Sequence, residues 1–422
     1  MLKKISELNT AQFRVSFFYY VGNFVLNFFR YLFHLVLLRF LAPAEYGEFL
    51  SYLSLMYLLS VPSGTISTLV TKFIASYKGS GDSKSINVFF EYLVKKTAPV
   101  GVVVGLILIS FSNPLATLFK AHPLAFVVLG VSAFVTLFQT ITASFLAGFQ
   151  RFVAQTILGF VNTLLTITFS IAFIKFGLGA TGAVLGQIIS GILITIVTLY
   201  LIKDSIFPFV KTTKKPNLSL KKFTIYSFIF SLGTMSLIST DILIFRILFD
   251  THASGMYSSL SILGRMILFG LTPVISLVLP MVSLRHSQNN HSESIFIKLG
   301  LSLLGLGLFG SMVFSFFSKS IVSILSGNQY LSISHLLPVF AFSMVFFALS
   351  QFILSYLMAT GREKSNIILL AITLIQPVVL YLYGRSLDSF VWLNMLIHVV
   401  LLFAVAYYFI SSRKTAVKFT HG

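Results

Sequence analysis

The chain has 422 residues, of which 56% are hydrophobic and 10% are charged, with 30 Lys and Arg against 11 Asp and Glu. An ordinary soluble domain carries about 25% charged residues, so this composition excludes a water-soluble globular protein, and the apolar excess excludes a disordered chain. The sequence has no cysteine, which excludes disulfides and Cys-ligated metals. Because the basic residues lie in short gaps between apolar runs, they favour a membrane surface as partner and not nucleic acid.

Twelve apolar runs predict an all-α integral membrane protein, because a helix that crosses a bilayer needs about 20 mainly apolar residues. The first run is too long for a cleaved signal peptide and carries Arg30, so it is predicted to remain as a span. The runs lie near residues 15–40, 47–71, 98–118, 124–148, 154–176, 180–202, 223–249, 255–282, 299–318, 333–358, 366–384 and 389–411.

The distribution of Lys and Arg predicts the orientation of these spans. If the N-terminus is cytoplasmic, 22 of the 30 fall in cytoplasmic segments, five in outer segments and three within spans. Cytoplasmic loops carry the excess of positive charge in membrane proteins, so both termini are predicted to be cytoplasmic. The outer connections are short, and the sequence contains no phosphate-binding loop and no metal-binding motif. We therefore expect no enzyme activity, no cofactor and no metal.

The two halves of the chain show a weak internal repeat. Gly47 lies at the junction of the first and second runs, and Gly255 lies at the junction of the seventh and eighth, 208 residues later. Similar short motifs follow the fourth and tenth runs, at residues 147–151 and 359–364. Six spans in each half predict two parallel repeats around a central cavity. The predicted lobes are residues 1–210 and 211–422, joined by a basic cytoplasmic linker at about 203–222.

Polar residues form a single helical face on three otherwise apolar spans, which predicts a water-filled cavity lined by spans one, seven and eight. The spacings are i, i+4, i+7, i+11 on span one, i, i+4, i+7, i+14 on span seven, and i, i+3, i+7, i+14 on span eight. The residues are Asn23, Asn27, Arg30 and His34 on span one, Ser227, Ser231, Thr234 and Asp241 on span seven, and Ser258, Ser261, Arg265 and Thr272 on span eight.

Three charged residues are predicted to lie at one depth in the membrane. Arg30 and Arg265 are 13 residues from the nearest outer turn and Asp241 is 11, which places all three about 16–20 Å below the outer surface. Two guanidinium groups at one depth suit a pyrophosphate, because each presents a planar fork to phosphate oxygens. The alternative is that Asp241 pairs with Arg265 or Arg30 and ties helices together. The two roles are compatible if a substrate exchanges with the carboxylate, and Asp241 is then the candidate for coupling to H+ or Na+.

Other polar residues within the spans are weaker candidates. Arg246 lies close to the outer end of span seven, where its side chain could reach the interface. His34 is one turn from Arg30 and could either titrate near neutral pH or make a helix contact. The remaining polar residues, among them Gln139, Asn162, Gln376, Asn394 and His398, are interpreted as helix–helix contacts.

The segment Arg39-Phe-Leu-Ala-Pro-Ala-Glu-Tyr-Gly-Glu-Phe resembles the first hairpin of polysaccharide and O-antigen flippases. Asp241-Ile-Leu-Ile, Gly255-Met-Tyr-Ser and Gly177-Leu-Gly-Ala-Thr-Gly-Ala resemble later motifs of the same family. These flippases belong to the multidrug/oligosaccharidyl-lipid/polysaccharide exporter superfamily, and the resemblance extends over nearly the whole chain.

The resemblance implies two six-helix lobes and a transporter in the bacterial inner membrane. Its substrate would be a polyprenyl-pyrophosphate-linked oligosaccharide, moved to the outer leaflet by alternating access, with membrane lipids as the other partner. Two alternatives remain within the superfamily. A cation-coupled multidrug and toxin exporter would need carboxylates, whereas Asp241 is the only one well inside a span. A lipid II flippase usually has fourteen spans. A membrane glycosyltransferase, outside the superfamily, would need a large outer loop or an acidic pair.

Overall fold

A computed structural model describes residues 22, 25–207, 221–287 and 293–419 of the chain. These residues are almost wholly helical and form no strand. Among them, nine helices are long and apolar enough to cross a membrane, or ten if one bent pair is counted as a single span. The prediction of an all-α, multi-pass membrane protein is therefore confirmed. The number of twelve spans stays a prediction, because the first run, 15–40, lies partly outside the described residues.

The helices follow one another with short connections. In the first half they are α1 (residues 25–40), α2 (Pro43–Leu59), α3 (Val61–Gly79), α4 (Ser83–Ser110), α5 (Ser112–Phe119), α6 (Pro123–Gly148), α7 (Phe152–Phe173) and α8 (Gly179–Ile206), with a π-helical segment, Ile174–Leu178, between the last two. In the second half they are α9 (Lys221–Leu237), α10 (Thr240–Leu248), α11 (Thr251–Ser287), α12 (Glu293–Phe316), α13 (Ser318–Leu325), α14 (Leu337–Ala359), α15 (Asn366–Tyr383) and α16 (Leu387–Phe419), with 3-10 segments at Asn328–Leu336 and Glu363–Ser365.

Contacts divide the chain into two compact units. The first unit contains the chain up to Leu41 and Leu59–Ser219, and the second contains Ala42–Leu58 and Leu220–Gly422. Helix α2 therefore belongs by its contacts to the second unit, although its sequence lies in the first half. The predicted linker at 203–222 lies mainly outside the described residues, and the division into two repeated lobes stays a prediction.

Several predicted runs have different boundaries in the structure. The second run is two helices, and Pro62 lies in the first turn of α3, where a missing N–H and a fixed φ are favourable. The third run, 98–118, is divided between two helices: α4, which begins at Ser83 and contains Pro99, and the short α5. The seventh run is interrupted between Leu237 and Thr240.

Helices α7 and α8 form an antiparallel hairpin, although they are continuous with the π-helical segment between them. The Thr166 and Ser190 hydroxyl oxygens are 2.6 Å apart, and the Ser170 hydroxyl donates to the carbonyl oxygen of Ala183 at 2.9 Å. The chain reverses at Gly177, which has φ of 83°, a left-handed conformation that favours glycine. The 55 residues from Phe152 to Ile206 are thus two crossings, because a straight helix of that length would be about 80 Å long.

One end of the first unit is stabilised by an apolar core and by caps. Ile74 of α3, Phe90 of α4 and Phe145 of α6 are buried together there. Asp82 caps α4 by accepting hydrogen bonds from the hydroxyl and the backbone N–H of Ser85 at 2.5 and 3.0 Å. These bonds lower the pKa of the Asp82 carboxyl from its usual range. This end contains the α6–α7 turn, which the charge pattern predicts to be cytoplasmic.

Candidate functional site

The N-terminal end of α1 approaches α7 closely, with one glycine on each side of the contact. Gly159 lies in α7, and Gly22 lies just before α1. A Cβ atom at Gly159 of α7 would lie 2.7 Å from Leu26 Cδ2, and one at Gly22 would lie 2.6 Å from Thr156 Cγ2. A side chain at either position would push the helices apart, so glycine permits this spacing. Leu26 is one turn from Arg30, and the contact therefore brings the Arg30 region of α1 beside α7.

A pocket of about 280 Å³ lies between α1, α6, α7 and α8 in the first unit. Its volume is close to the lower end of the range of about 300–1,000 Å³ that is usual for small-molecule sites. Arg30 is the one charged residue in its lining as the structure describes it, and the lining contains no carboxylate. The polar residues of the lining are Arg30 from α1, Gln139 and Thr140 from α6, Gln155, Thr156 and Asn162 from α7, and Thr198 from α8.

The pocket is rich in hydrogen-bond acceptors. The hydroxyls of Thr140, Thr156 and Thr198 each donate to the carbonyl four residues earlier in their own helix, at 2.7 to 3.0 Å. Each hydroxyl has only one hydrogen, so what these groups can still offer is lone pairs. The side-chain oxygens of Gln155 and Asn162 are buried and accept no hydrogen bond from any described residue. The side-chain amides of Gln139, Gln155 and Asn162 also carry N–H donors, so the lining contains groups of both kinds.

The other predicted residues of span one lie elsewhere. Asn27 is exposed and His34 is buried, and neither lines the pocket. The ring of His34 lies beside that of Phe33, with centroids 5.8 Å apart. Asn23 lies outside the described residues. Of the four polar residues predicted to share one face of span one, the structure places Arg30 in the pocket.

A second candidate site lies in the second unit, at the interruption between α9 and α10. Because α9 ends at Leu237 and α10 begins at Thr240, carbonyl groups near the interruption lose their partners within the helix. Gln376 of α15 supplies a partner, since its Nε2 donates to the Leu237 carbonyl oxygen at 3.1 Å. Asp241 lies in the first turn of α10, where the helix dipole favours a negative charge.

The Asp241 carboxylate is held by three side chains. Arg265 Nη2 of α11 lies 3.1 Å from Oδ1 and 3.2 Å from Oδ2. The Tyr257 hydroxyl donates to Oδ2 at 2.7 Å, and Asn394 Nδ2 of α16 lies 3.5 Å from the same oxygen. The exposed fraction is 1% for Asp241 and 2% for Arg265. The sequence left open whether Asp241 pairs with Arg265 or with Arg30, and in the structure its partner is Arg265.

Hydrogen bonds extend from this ion pair to α16 and α15, because Gln376 Nε2 also donates to Asn394 Oδ1 at 2.9 Å. A separate bond joins α16 to α14, where His398 Nδ1 lies 2.8 Å from the Ser343 hydroxyl oxygen. These contacts confirm that Gln376, Asn394 and His398 link helices. The ion pair itself is neutral, because the Asp241 carboxylate is matched by the Arg265 guanidinium.

Arg246 has a different environment from the one predicted. Its exposed fraction is 1%, and Nη1 donates to the Ala44 carbonyl oxygen of α2 at 3.4 Å. The expectation that its side chain reaches the membrane interface is wrong, because α2 packs over this part of the second unit. Arg246 therefore has a structural contact to the hairpin segment that carries the family-like motif.

Comparison with a family model decides the class of the protein. The model of a family described as polysaccharide biosynthesis protein matches residues 14–286, which is more than half of the chain. The chain belongs to the polysaccharide biosynthesis protein family. This confirms the resemblance to polysaccharide flippases. No curated protein gives a significant match to the sequence.

Solved structures of transporters share the fold of this family member. One is an inward-facing multidrug resistance MATE family transporter of the MOP superfamily, with a TM-score of 0.74 and 14% identity over 93% of this chain and 96% of that chain. Another is the lipid II flippase MurJ in an inward closed conformation, with a TM-score of 0.68 and 12% identity over 93% and 87%. A MATE structure in the straight conformation has a TM-score of 0.65 and 15% identity over 96% of both chains. The fold is thus that of MOP superfamily transporters, and the proteins it is similar to are transporters and flippases.

Three polar residues that line the pocket beside Arg30 are not predicted as site residues by the sequence. They are Gln139, Gln155 and Asn162. The sequence predicts helix contacts for Gln139 and Asn162 and gives no prediction for Gln155. One pattern does indicate a shared face of α7, because Gln155, Gly159 and Asn162 have the spacing i, i+4, i+7. The same spacing relates Gln139 to residues 143 and 146 of α6, which also line the pocket.

Proposed function

We propose that the protein moves a polyprenyl-pyrophosphate-linked oligosaccharide from the cytoplasmic to the outer leaflet by alternating access. The observation that carries this proposal is the position of Arg30 in the polar pocket of the first unit, in a chain of the polysaccharide biosynthesis protein family. Its guanidinium offers a planar fork of donors that fits phosphate oxygens. The polyprenyl tail would remain in the hydrocarbon of the bilayer.

The charge of the pocket favours an anionic substrate over a cationic drug. The described lining contains Arg30 and no carboxylate, so a cationic compound would meet a charge of like sign there and no opposite charge among these residues. A multidrug exporter function, like that of the multidrug resistance MATE family transporter that shares the fold, is therefore the weaker alternative. A lipid II flippase would use the same pyrophosphate chemistry and differs in the attached sugar.

The position of the pocket suits loading from the cytoplasm. Gln155 lies one turn from Arg151 at the start of α7, and Leu146 lies in the last turn of α6. Both belong to the end of the first unit that the distribution of Lys and Arg predicts to be cytoplasmic. Lys78 Nζ donates to the Phe149 carbonyl oxygen at 2.7 Å and adds positive charge at this end. An anionic headgroup made in the cytoplasm would approach Arg30 from there.

Arg265 would meet the substrate at a buried ion pair. Its Nη2 is bonded to Asp241 and its side chain is buried, so a pyrophosphate that takes the place of the carboxylate must break this pair. The displaced carboxylate would be left buried without its cation, which is costly, so the exchange would couple to a cation that replaces the guanidinium, either H+ or Na+. Asp241→Asn should then flip substrate in proteoliposomes without responding to an imposed gradient. A response equal to that of the wild type would assign Asp241 a structural role only.

The proposal is tested by replacing Arg30 in cells that depend on this protein for surface polysaccharide. Arg30→Ala should abolish export while the amount of protein in the membrane stays unchanged. Arg30→Lys should restore export in part, because the lysine keeps the charge but loses the fork. The matched control is Arg39→Ala, which removes an exposed arginine from the other end of the same helix and should leave export intact.

The same assay separates the alternatives. Wild-type export by Arg30→Ala would refute pyrophosphate recognition at this pocket. Accumulation of lipid II in depleted cells, with surface polysaccharide unaffected, would identify the lipid II flippase alternative. Increased sensitivity of depleted cells to cationic drugs, with both glycans unaffected, would identify the multidrug alternative.

A further inference from the structure

Three basic side chains, Lys78, Arg151 and Lys203, form a cluster at the end of the α7–α8 hairpin that the charge pattern predicts to be cytoplasmic. Arg151 Nη1 donates to the Leu201 carbonyl oxygen of α8 at 2.9 Å, and its guanidinium lies over the Phe149 ring, 5.9 Å from the centroid. Lys78 Nζ donates to the carbonyl oxygen of the same Phe149. All three side chains are exposed. Each keeps N–H donors beyond those it uses here, so the basic cluster can bind an anion from outside.

The positive charge of the basic cluster is only partly offset by acids. None of its three members forms an ion pair with another residue that the structure describes. Asp204 is exposed and follows Lys203 directly, so it lowers the net charge without neutralising it. Asp82, at the start of α4, is engaged by Ser85 in the cap of that helix and has Lys84 beside it. The end of the hairpin therefore carries a net positive charge.

An exposed apolar stripe leads along α8 to the basic cluster. Ile192, Ile196 and Tyr200 have the spacing i, i+4, i+8 of one helix face, with exposed fractions of 38%, 57% and 67%. Lys203 follows, with Nζ 4.2 Å from the centroid of the Tyr200 ring. On a helix apolar enough to cross a membrane, such a stripe faces hydrocarbon, and a tyrosine and a lysine at its end lie at the level of the lipid headgroups. The stripe and the cluster thus match a lipid molecule with an anionic head.

We propose that this end of the hairpin binds an anionic phospholipid of the cytoplasmic leaflet, with the headgroup at Arg151 and Lys203 and an acyl chain along the α8 stripe. This lipid is a resident of the membrane, so the inference goes beyond the proposed function, which concerns the transported substrate. No member of the basic cluster lines the Arg30 pocket, so the two anion sites are separate. A zwitterionic headgroup fits less well, because its ammonium would meet charges of like sign.

The same arrangement recurs in the second unit, which favours a resident phospholipid over the substrate. Arg362 lies 211 residues after Arg151, and each arginine donates to the residue 50 positions further along, at 3.0 Å and 2.9 Å respectively. In the sequence, Lys414 lies 211 residues after Lys203. Phospholipids of the membrane are available to both units, so a contact that is repeated in each of them suits a lipid of the bilayer.

The test measures lipid affinity at the stripe by fluorescence quenching. Because the chain has no native cysteine, Ile196→Cys can carry a single fluorophore in the full-length protein, reconstituted in mixtures of phosphatidylglycerol and phosphatidylethanolamine. Either lipid can be brominated, and bromine quenches the fluorophore when that lipid is bound beside it. Phosphatidylglycerol should be preferred at this position. The same fluorophore on Leu106→Cys, an exposed position of α4, is the control and should show no such preference.

Charge variants then assign the preference to the basic cluster. Arg151→Ala and Lys203→Ala should each weaken phosphatidylglycerol relative to phosphatidylethanolamine about fivefold, which corresponds to about 1 kcal/mol for one basic residue at a membrane surface. Asp204→Asn should have the opposite effect, because it removes the neighbouring negative charge. The matched control is Lys298→Ala, which removes an exposed lysine of α12 in the second unit and should leave the preference unchanged.

Three outcomes would overturn the inference. Equal quenching by the two brominated lipids at Ile196→Cys would show that the stripe does not select an anionic headgroup. A preference that survives in Lys203→Ala would exclude the basic cluster as its cause, and misfolding is not an explanation there, because the Lys203 side chain makes no hydrogen bond to any described residue. Displacement of half of the phosphatidylglycerol by a polyprenyl diphosphate at one-hundredth of its amount would assign the surface to the transported lipid. Inorganic phosphate should displace nothing, since it has no chain to occupy the stripe.

Discussion

The buried Asp241–Arg265 pair predicts a specific pattern of stability in a double-mutant cycle. Asp241→Leu leaves the Arg265 guanidinium buried without its acid, which costs about 3–5 kcal/mol. It also removes the acceptor of the Tyr257 hydroxyl, 2.7 Å away, which adds about 1–3 kcal/mol. Arg265→Met leaves the carboxylate uncompensated and should cost a similar 3–5 kcal/mol. The double variant leaves neither charge, so only the orphaned hydroxyl should remain, at about 1–3 kcal/mol.

Thermal unfolding of the purified protein in detergent checks this pattern. A change of 1 kcal/mol shifts the midpoint by about 2–4 °C for a unit of 150–250 residues. Arg265→Met should therefore lose about 6–20 °C, and Asp241→Leu, at about 4–8 kcal/mol in all, should lose about 8–32 °C. The double variant should recover most of that loss, and adding Tyr257→Phe should recover more. A double variant no more stable than Asp241→Leu would refute the reasoning, because it would show that the two charges do not compensate each other.

Two further predictions concern packing and topology. Gly255→Ala should lower the midpoint of thermal unfolding and loosen α2 from α11, because a Cβ there would overlap the Pro43 carbonyl oxygen. Protease accessibility measures the loosening. The control is Gly270→Ala, whose Cβ would meet nothing within 4 Å and which should leave both quantities unchanged. Because the chain has no native cysteine, single cysteines at Ser80 and Ala121 can be labelled in intact cells with an impermeant thiol reagent. Ala121→Cys should react and Ser80→Cys should not, and the reverse pattern would invert the predicted orientation.

The positions of the membrane helices could be predicted because a long apolar run is a local and strong signal. The reversal between α7 and α8 can also be predicted, since the sequence has glycines, Gly177 and Gly179, where the backbone takes positive φ. The interruption between α9 and α10 cannot be predicted from the local sequence. Residues 237–241 are Leu-Ile-Ser-Thr-Asp, which contain neither glycine nor proline, and the interruption is satisfied by Gln376 from 139 residues away. Tertiary contacts of that kind leave no trace in the local sequence.

Of the two candidate sites, the Asp241–Arg265 pair could be predicted from the sequence and the lining around Arg30 could not. The pairing of Asp241 with Arg265 was one of the alternatives because helical rise converts sequence distance into depth. The polar residues that line the pocket beside Arg30 could not be predicted as a site, since a single glutamine on an apolar helix fits a helix contact as well as a binding site. Deciding between them requires knowing that α6, α7 and α8 surround one volume next to α1, which is a property of packing.

The structure makes the two arginines unequal, although the sequence predicts them at the same depth. Arg30 is exposed and lines a pocket of polar side chains. Arg265 is already bonded to both oxygens of Asp241, so a phosphate must break a buried ion pair that Tyr257 and Asn394 also support. Breaking that pair without replacing it would cost several kcal/mol, and the displaced carboxylate then needs a proton or cation. Of the two arginines, Arg30 is therefore the one that a phosphate can approach without breaking a buried ion pair.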